Sequence, residues 1–183
     1  MIIYFTRHGE TEWNSRNIIC GRTDIDLSDR GREQAAALGN SIGHDSGIAR
    51  IISSPMKRAM ETARIISERT GIPISGTDVR LTEWDYGVFE GQPRDTPGFA
   101  ENKLQFGCRM PGGESVLDLA VRVYGFIDEA AAKYAGKDIL LVCHGGVCRV
   151  IETYYRDMTR KEFSEFFMGN CELRKFNRKD DKI

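Results

Sequence analysis

The stretch Asp138-Ile139-Leu140-Leu141-Val142-Cys143-His144-Gly145-Gly146 decides the fold. Its apolar run, Ile139 to Val142, does not alternate. That is the signature of a strand covered on both faces, since a half-exposed strand alternates apolar with polar residues. Ile2 to Thr6 and Arg50 to Ser54 are short β-branched or aromatic runs of the same kind. Three buried strands and a parallel or mostly parallel sheet are implied.

Helical patterns separate these strands. After Ser115, the residues Val116, Leu119, Ala120, Val123, Ile127, Ala130 and Tyr134 recur at spacings of three and four, an apolar stripe suited to packing on a sheet. A second helix is expected to start with Ser54 as N-cap and Pro55 at the first helical position, and to close at Gly71. Weaker patterns come after Ser28 and Thr159, the latter with Glu162 completing a T-x-x-E capping box. Strands alternating with helices at this spacing predict a three-layer α/β/α sandwich with a mostly parallel central sheet.

The length of 183 residues suits one well-buried core, so residues 1–183 are read as a single domain. Gly91 to Gly113 has no clear period, and residues 92–111 are read as a lid or substrate-specificity excursion. The polar end, Asn177 to Lys182, is expected to fray.

Composition narrows the function. Lys and Arg total 26 against 27 Asp and Glu, a net charge of -1, so no bulk basic field draws nucleic acid or an anionic membrane. The apolar runs are too short to span a bilayer and no targeting segment is visible, so the cytoplasm is the expected location. Five cysteines with no C-x-x-C pair argue against a disulfide framework or zinc knuckle, and Cys143 and Cys148 are read as packing residues.

The ends of the strands carry the chemistry. Ile2 to Thr6 runs into Arg7-His8-Gly9, Ile51 to Ser54 into Pro55-Met56-Lys57-Arg58, and Ile139 to Cys143 into His144-Gly145-Gly146. Ligands of open α/β sheets bind outside the carboxyl ends of the strands, so these segments converge if the strands are parallel neighbours. Arg7 and Arg58 brought together with His8 and His144 would repel unless an anion compensates them, and a phosphoryl group suits two planar guanidinium forks. The helix expected at Ser54 would add its positive end. Gly9, Gly145 and Gly146 would let backbone approach the ligand.

Arg7-His8-Gly9 alone is a short motif that matches by chance. It gains weight from a series of downstream motifs, in chain order Glu10-Thr11-Glu12-Trp13-Asn14, Gly21, Asp24, Leu27-Ser28-x-x-Gly31, Ser53-Ser54-Pro55-x-x-Arg58-Ala59, Leu81-x-Glu83-x-x-x-Gly87-x-x-Glu90-Gly91, Gly112-Gly113-Glu114-Ser115 and His144-Gly145-Gly146. With this ordered set the chain resembles the histidine phosphatase superfamily. The resemblance is to the branch of cofactor-dependent phosphoglycerate mutases and small phosphatases such as α-ribazole phosphatase, and runs from Ile3 to about Phe176.

The resemblance implies a phosphoglycerate mutase-like fold with His8 as nucleophile. Arg7, Arg58 and His144 then hold the phosphoryl oxygens, Asn14 contacts the phosphate, Gly145 lies against the substrate, and Glu83 donates the proton. Elementary chemistry agrees. A neutral imidazole attacks phosphorus near pH 7 and divides one hard displacement into two easier ones. Guanidinium groups and a protonated or N–H-donating His144 stabilise the equatorial oxygens, with no metal or other cofactor required. An alkoxide leaves poorly, so a carboxylic acid must protonate it and afterwards deprotonate water. Glu10, Glu12 and Glu90 are weaker rivals to Glu83, Glu114 suits a helix N-terminus, His44 reads as a surface residue, and Trp13 and Trp84 as packing.

Hydrolysis of a small phosphorylated metabolite is therefore the leading expectation, with phosphoglycerate mutase-type phosphoryl transfer as the alternative. The mutases of this family generally carry a longer insertion before G-G-E-S and a longer tail, which favours the hydrolase. A silent binding module is opposed by the intact His8, Arg7, Arg58, Glu83 and His144, and a metal site by the lack of a ligand set at the right spacing. Arg94, Lys103, Gln105 and Arg109 of the excursion could read a second anionic or polar group. Neither the particular ester nor the oligomeric state is legible.

Overall fold

In the computed structural model, which describes residues 1–177, the chain runs β1 (Ile2–Arg7), α1 (Glu12–Ser15), α2 (Asp29–Ile42), β2 (Ile48–Ser53), α3 (Lys57–Thr70) and β3 (Ile74–Thr77). It continues through α4 (Phe99–Lys103), α5 (Val116–Lys133), β4 (Asp138–Cys143), α6 (Gly145–Tyr155), α7 (Arg160–Glu165) and β5 (Leu173–Asn177). The five strands form one sheet in the order β3-β2-β4-β1-β5. β4 pairs in parallel with both β1 and β2, β2 pairs in parallel with β3, and β5 alone runs antiparallel, against β1.

The unbroken apolar run of β4 has a direct cause. Ile139, Leu141 and Cys143 face the core that α5 and α6 close with Leu119, Val123, Ile127, Val147 and Ile151. Leu140 and Val142 face the other side, against Ala59, Ala63 and Ile66 of α3 and Leu38 of α2. Ile139 to Cys143 are all fully buried. Each of the four larger aliphatic side chains contributes roughly 2 kcal/mol of burial, so this central strand anchors both layers. The expected three-layer α/β/α sandwich is therefore present, with a mostly parallel sheet.

Two edge strands escape the hydrophobic pattern. β3 and β5 are short and largely half-exposed or exposed, β3 containing Gly76 and β5 containing Arg174 and Lys175, so neither carries a buried run. Asn177 closes β5, and the rest of the polar end lies outside the described residues.

The caps at Ser28, Ser115 and Thr159 form as expected, each hydroxyl accepting from the backbone three residues on. Ser54 does not cap a helix. α3 begins later, at Lys57, with Met56 at the N-cap and no side-chain bond there. The Ser54 hydroxyl is instead 2.8 Å from His144 Nε2, and the first amide of α3, that of Lys57, donates to Asp24 Oδ1 at 2.8 Å. No helix long and apolar enough to cross a membrane occurs among the described residues.

Candidate active site

Because β1 and β2 flank β4 in parallel, their carboxyl ends lie side by side. Arg7 is the last residue of β1, His8 comes next, and His144 succeeds β4 as the N-cap of α6. The His8 amide donates to Cys143 O at 3.0 Å and the Ser54 amide to Val142 O at 2.9 Å, so hydrogen bonds continue past the strands and tie the three ends together. The His8 and His144 rings lie 5.1 Å apart between centroids, tilted by 59°.

His8 is 4% exposed. Its Nδ1 is 2.7 Å from Gly9 O, and a carbonyl only accepts, so Nδ1 carries the proton and Nε2 keeps its lone pair. Arg58 Nε donates to that Nε2 at 3.2 Å. Burial, then Arg58, then Arg7 hold the His8 pKa well below the usual histidine range, against a smaller opposing effect of the Gly9 carbonyl. The ring is therefore neutral at pH 7.

Arg58 is fully buried on α3 and has no carboxylate partner among the described residues. Its Nη1 donates to Thr23 O at 2.9 Å and its Nη2 to Gly21 O at 2.8 Å, so carbonyls aim the guanidinium while leaving its charge unneutralised. Glu90 shapes the loop that supplies them. Its carboxylate accepts from the amides of Gly21, Arg22 and Thr23 at 3.1, 2.8 and 3.3 Å, and from the Thr23 hydroxyl at 2.9 Å. Arg7 Nη1 donates to Met168 O at 3.1 Å, whereas Arg7 Nε is buried with no hydrogen-bond partner among the described residues. Burial, then Arg94, lowers the Arg7 pKa, from a starting value so high that the group stays charged.

His144 is fully buried, with Nε2 on Ser54 and Nδ1 without a hydrogen-bond partner among the described residues. Burial first, then the neighbouring Arg58, His8 and Arg7, pushes its pKa well below the usual value. Glu83 is 5% exposed. Its Oε1 accepts from Trp84 N at 2.8 Å and Gly146 N at 3.0 Å, and Oε2 from Gly146 N at 3.1 Å. Asn14 sits on α1, where its Oδ1 accepts from Thr11 N at 3.2 Å and from Asn170 Nδ2 at 3.3 Å.

Arg7, His8, Asn14, Glu83 and Gly145 line one cavity of about 460 Å³. The glycines act differently from expectation. A Cβ on Gly9 would stand 2.3 Å from Gly31 O, and one on Gly146 would stand 2.6 Å from Glu83 Oε1, so these two are needed for backbone packing and for Glu83 rather than for a ligand. The helix start at this site belongs to α6, through the Gly146 amide, and α3 directs its first amide to Asp24.

The remaining candidates separate cleanly. Glu114 is bound by Arg122 Nε and Nη2 at 2.9 Å each and by Arg22 Nη2 at 3.2 Å. His44 is an exposed residue near Thr70 O, Trp84 is buried with Nε1 on Glu114 O, and Cys143 and Cys148 are buried in the core. Glu10 lines the cavity but is engaged with Ser28 and Arg30, and Glu12 is exposed. Asn170, which donates to His8 O at 2.8 Å, has no signal in the sequence because β5 has none. Ser54 has a signal, but the local pattern points it at a helix start and not at His144. Among the described residues no group of three or more His, Cys, Asp or Glu side chains is arranged to hold a metal ion.

Arg7, His8 and Glu83 line one cavity, and Arg58 and His144, which do not line it, meet the His8 ring from α3 and from the end of β4. The chain belongs to the histidine phosphatase superfamily, branch 1, whose sequence pattern matches residues 3–183. It is 37% identical over 150 residues to the protein described as "Probable phosphoglycerate mutase GpmB" of Yersinia pestis (strain Pestoides F), covering 78% of this chain and 69% of that one. Its structure is similar to that of a mycobacterial glucosyl-3-phosphoglycerate phosphatase, with a TM-score of 0.83 and 28% identity over 95% of this chain and 91% of the other. It is also similar to YhfR of Bacillus stearothermophilus, with a TM-score of 0.83 and 27% identity over 95% and 89% of the two chains.

Proposed function

We propose that this enzyme is a phosphatase that hydrolyses small phosphate monoesters through a phosphohistidine on His8. The observation that carries this reading is the state of the His8 ring: Nδ1 donates its proton to the Gly9 carbonyl, which leaves the lone pair on Nε2, where it accepts from the Arg58 guanidinium. In the first step Nε2 forms a bond to phosphorus while the ester P–O bond breaks, and Glu83 gives its proton to the leaving alkoxide. In the second step Glu83 takes a proton from water, the water oxygen attacks phosphorus, and the N–P bond breaks to release inorganic phosphate. Arg7 and Arg58 stabilise charge on the equatorial oxygens, and Asn14 and Gly145 bound the phosphoryl group. Arg7 Nε and His144 Nδ1, buried and without hydrogen-bond partners among the described residues, are left free in this reading to donate to two of those oxygens.

Access of water supports hydrolysis over transfer. The cavity rim includes Phe167, which is 71% exposed, and the exposed Asn17 and Glu165. A phosphohistidine below such a rim is within reach of solvent. Phosphoglycerate mutase-type transfer is the second reading, favoured by the description of the Yersinia relative.

The test is rapid quenching with a phosphate-labelled ester. Acid-labile label on the wild type, none on His8→Ala, and stoichiometric release of inorganic phosphate are expected. Return of the label to a substrate isomer without phosphate release would establish transfer instead.

A further inference from the structure

Arg58 is buried with no acid against it among the described residues, an unfavourable state for a guanidinium unless opposite charge reaches it by another route. The loop that holds it supplies that route. Gly21 O accepts from Arg58 Nη2 at 2.8 Å, and the Arg22 amide donates to Glu90 Oε1 at 2.8 Å. That carbonyl and that amide belong to one peptide unit. A carboxylate on the N–H side of a planar, conjugated peptide polarises it and makes its carbonyl oxygen the stronger acceptor. The path runs from Glu90 through the Gly21-Arg22 peptide to Arg58, whose Nε donates to His8 Nε2 at 3.2 Å.

Glu90 is committed to this loop. The amides of Gly21, Arg22 and Thr23 are three successive N–H groups converging on one carboxylate, and the Tyr86 amide adds a longer bond at 3.4 Å. No cation pairs with Glu90 among the described residues, because the Arg22 side chain turns to the Thr82 hydroxyl and to Glu114. A Cβ on Gly21 would overlap Glu90 Oε1 and Trp84 O, so the glycine is what lets the carboxylate reach the peptide. The two segments are also held in register, with Ile19 N donating to Gln92 O at 2.8 Å and Gly91 N to Ile19 O at 3.0 Å. Both charges are felt at one neighbour. The Cys20 thiol, pushed up to about 11 by burial, is lowered by Arg58 and raised by Glu90.

We propose that Glu90 is a positioning residue, the counterion of Arg58 at one peptide's remove, which fixes that guanidinium against His8 and the phosphoryl group. The inference rests on the phosphoryl group lying at His8. A direct ion pair would occupy the guanidinium with an acid and cancel the charge it offers, as Glu114 does to Arg122. The relay steadies Arg58 without competing for it.

A double-variant cycle tests this, read by calorimetric titration with inorganic phosphate. Glu90→Gln should weaken phosphate binding about fivefold or more in the wild type and less than about twofold in Arg58→Met, because the effect passes through Arg58. A merely structural Glu90 would lower both by the same factor. The second readout needs neither ligand nor turnover. The Nη protons of Arg58, held by two carbonyls, should give separate NMR signals in the wild type and collapse toward an average in Glu90→Gln. Equal losses in both backgrounds, no loss in the first, or signals that stay resolved in Glu90→Gln would overturn the relay. Should Glu90→Gln not fold, Glu90→Asp goes through the same cycle, with a loss of about threefold or more expected only where Arg58 is present, and equal losses again overturn it. Release of phosphate from esters by the wild type answers the other question: its absence would count against hydrolysis and leave the result on Glu90 standing.

Discussion

Arg122 and Arg58 are both sheltered arginines held by backbone carbonyls, yet they are built for opposite ends. Arg122, on α5, donates to the carbonyls of Arg80, Thr82 and Glu83, and then grips Glu114 with two nitrogens. Arg58, on α3, donates to the carbonyls of Gly21 and Thr23 and to His8, and meets no acid among the described residues. The first is a closed ion pair that fastens the segment carrying Glu83 to α5. The second has no acid partner among the described residues and turns its Nε to His8. A sheltered guanidinium with a carboxylate stabilises the fold, whereas one with carbonyls alone is positioned for a ligand.

The largest expected effect comes from exchanging Arg58 for a side chain of similar volume. Arg58→Met should lower kcat/KM by about 10³-fold or more, because two preorganised donors are lost from the transition state. Its stability should change by no more than about 1 kcal/mol, since the charge removed was costly to bury, which offsets the lost carbonyl bonds. Chemical denaturation alongside steady-state kinetics checks both halves. A collapse of stability with the activity would erase the contrast.

Glu83→Gln comes next. It should slow alkyl phosphates by about 10² to 10³-fold while slowing p-nitrophenyl phosphate less than about tenfold, because only the alkoxide needs a proton on leaving. Parallel losses on both esters, read from kcat/KM, would remove Glu83 as the acid.

Arg122→Met should reverse the pattern seen at Arg58. Leaving Glu114 with Arg22 alone is expected to cost about 2 kcal/mol of unfolding free energy, discounted because both side chains keep some solvent contact. The urea midpoint measures it, and a loss of activity greater than the loss at Arg58 would show that the two arginines do not divide between stability and catalysis.

The smallest effect is on pH. His8 and His144 both have pKa values held well below the usual 6.5, so the unfolded chain takes up protons that the native one refuses. Stability from this source is complete well above pH 6.5 and falls as the pH drops below it, by about 1 kcal/mol for each histidine over the first unit. A denaturation midpoint flat from pH 7 to 5.5, or one that falls equally in His8→Asn, would contradict that burial.

The two edges of the sheet explain what is and is not visible in the chain without coordinates. β4 is legible because a strand covered on both faces must be apolar throughout, and β1 and β2 share enough of that character. β3 and β5 are not, because half-exposed edges place no such demand on sequence. An illegible β5 also hides Asn170 and the Met168 carbonyl, which hold His8 and Arg7 only because the chain returns alongside β1. Ser54-Pro55 carries a sound local signal for a helix start, overridden because the hydroxyl finds the buried His144 ring.

Sequence alone determined which groups to expect at the site: His8, Arg7, Arg58, Glu83 and His144 stand at strand ends or in ordered motifs, and neither their identity nor their order needed coordinates. Tertiary structure decided how they are poised. What His8 Nε2 accepts from, which carbonyls aim Arg58, and where Glu83 meets the start of α6 depend on contacts between segments far apart in the chain. Hydrogen bonds and Coulomb forces act over a few ångströms of space, and separation along the sequence carries no record of that distance.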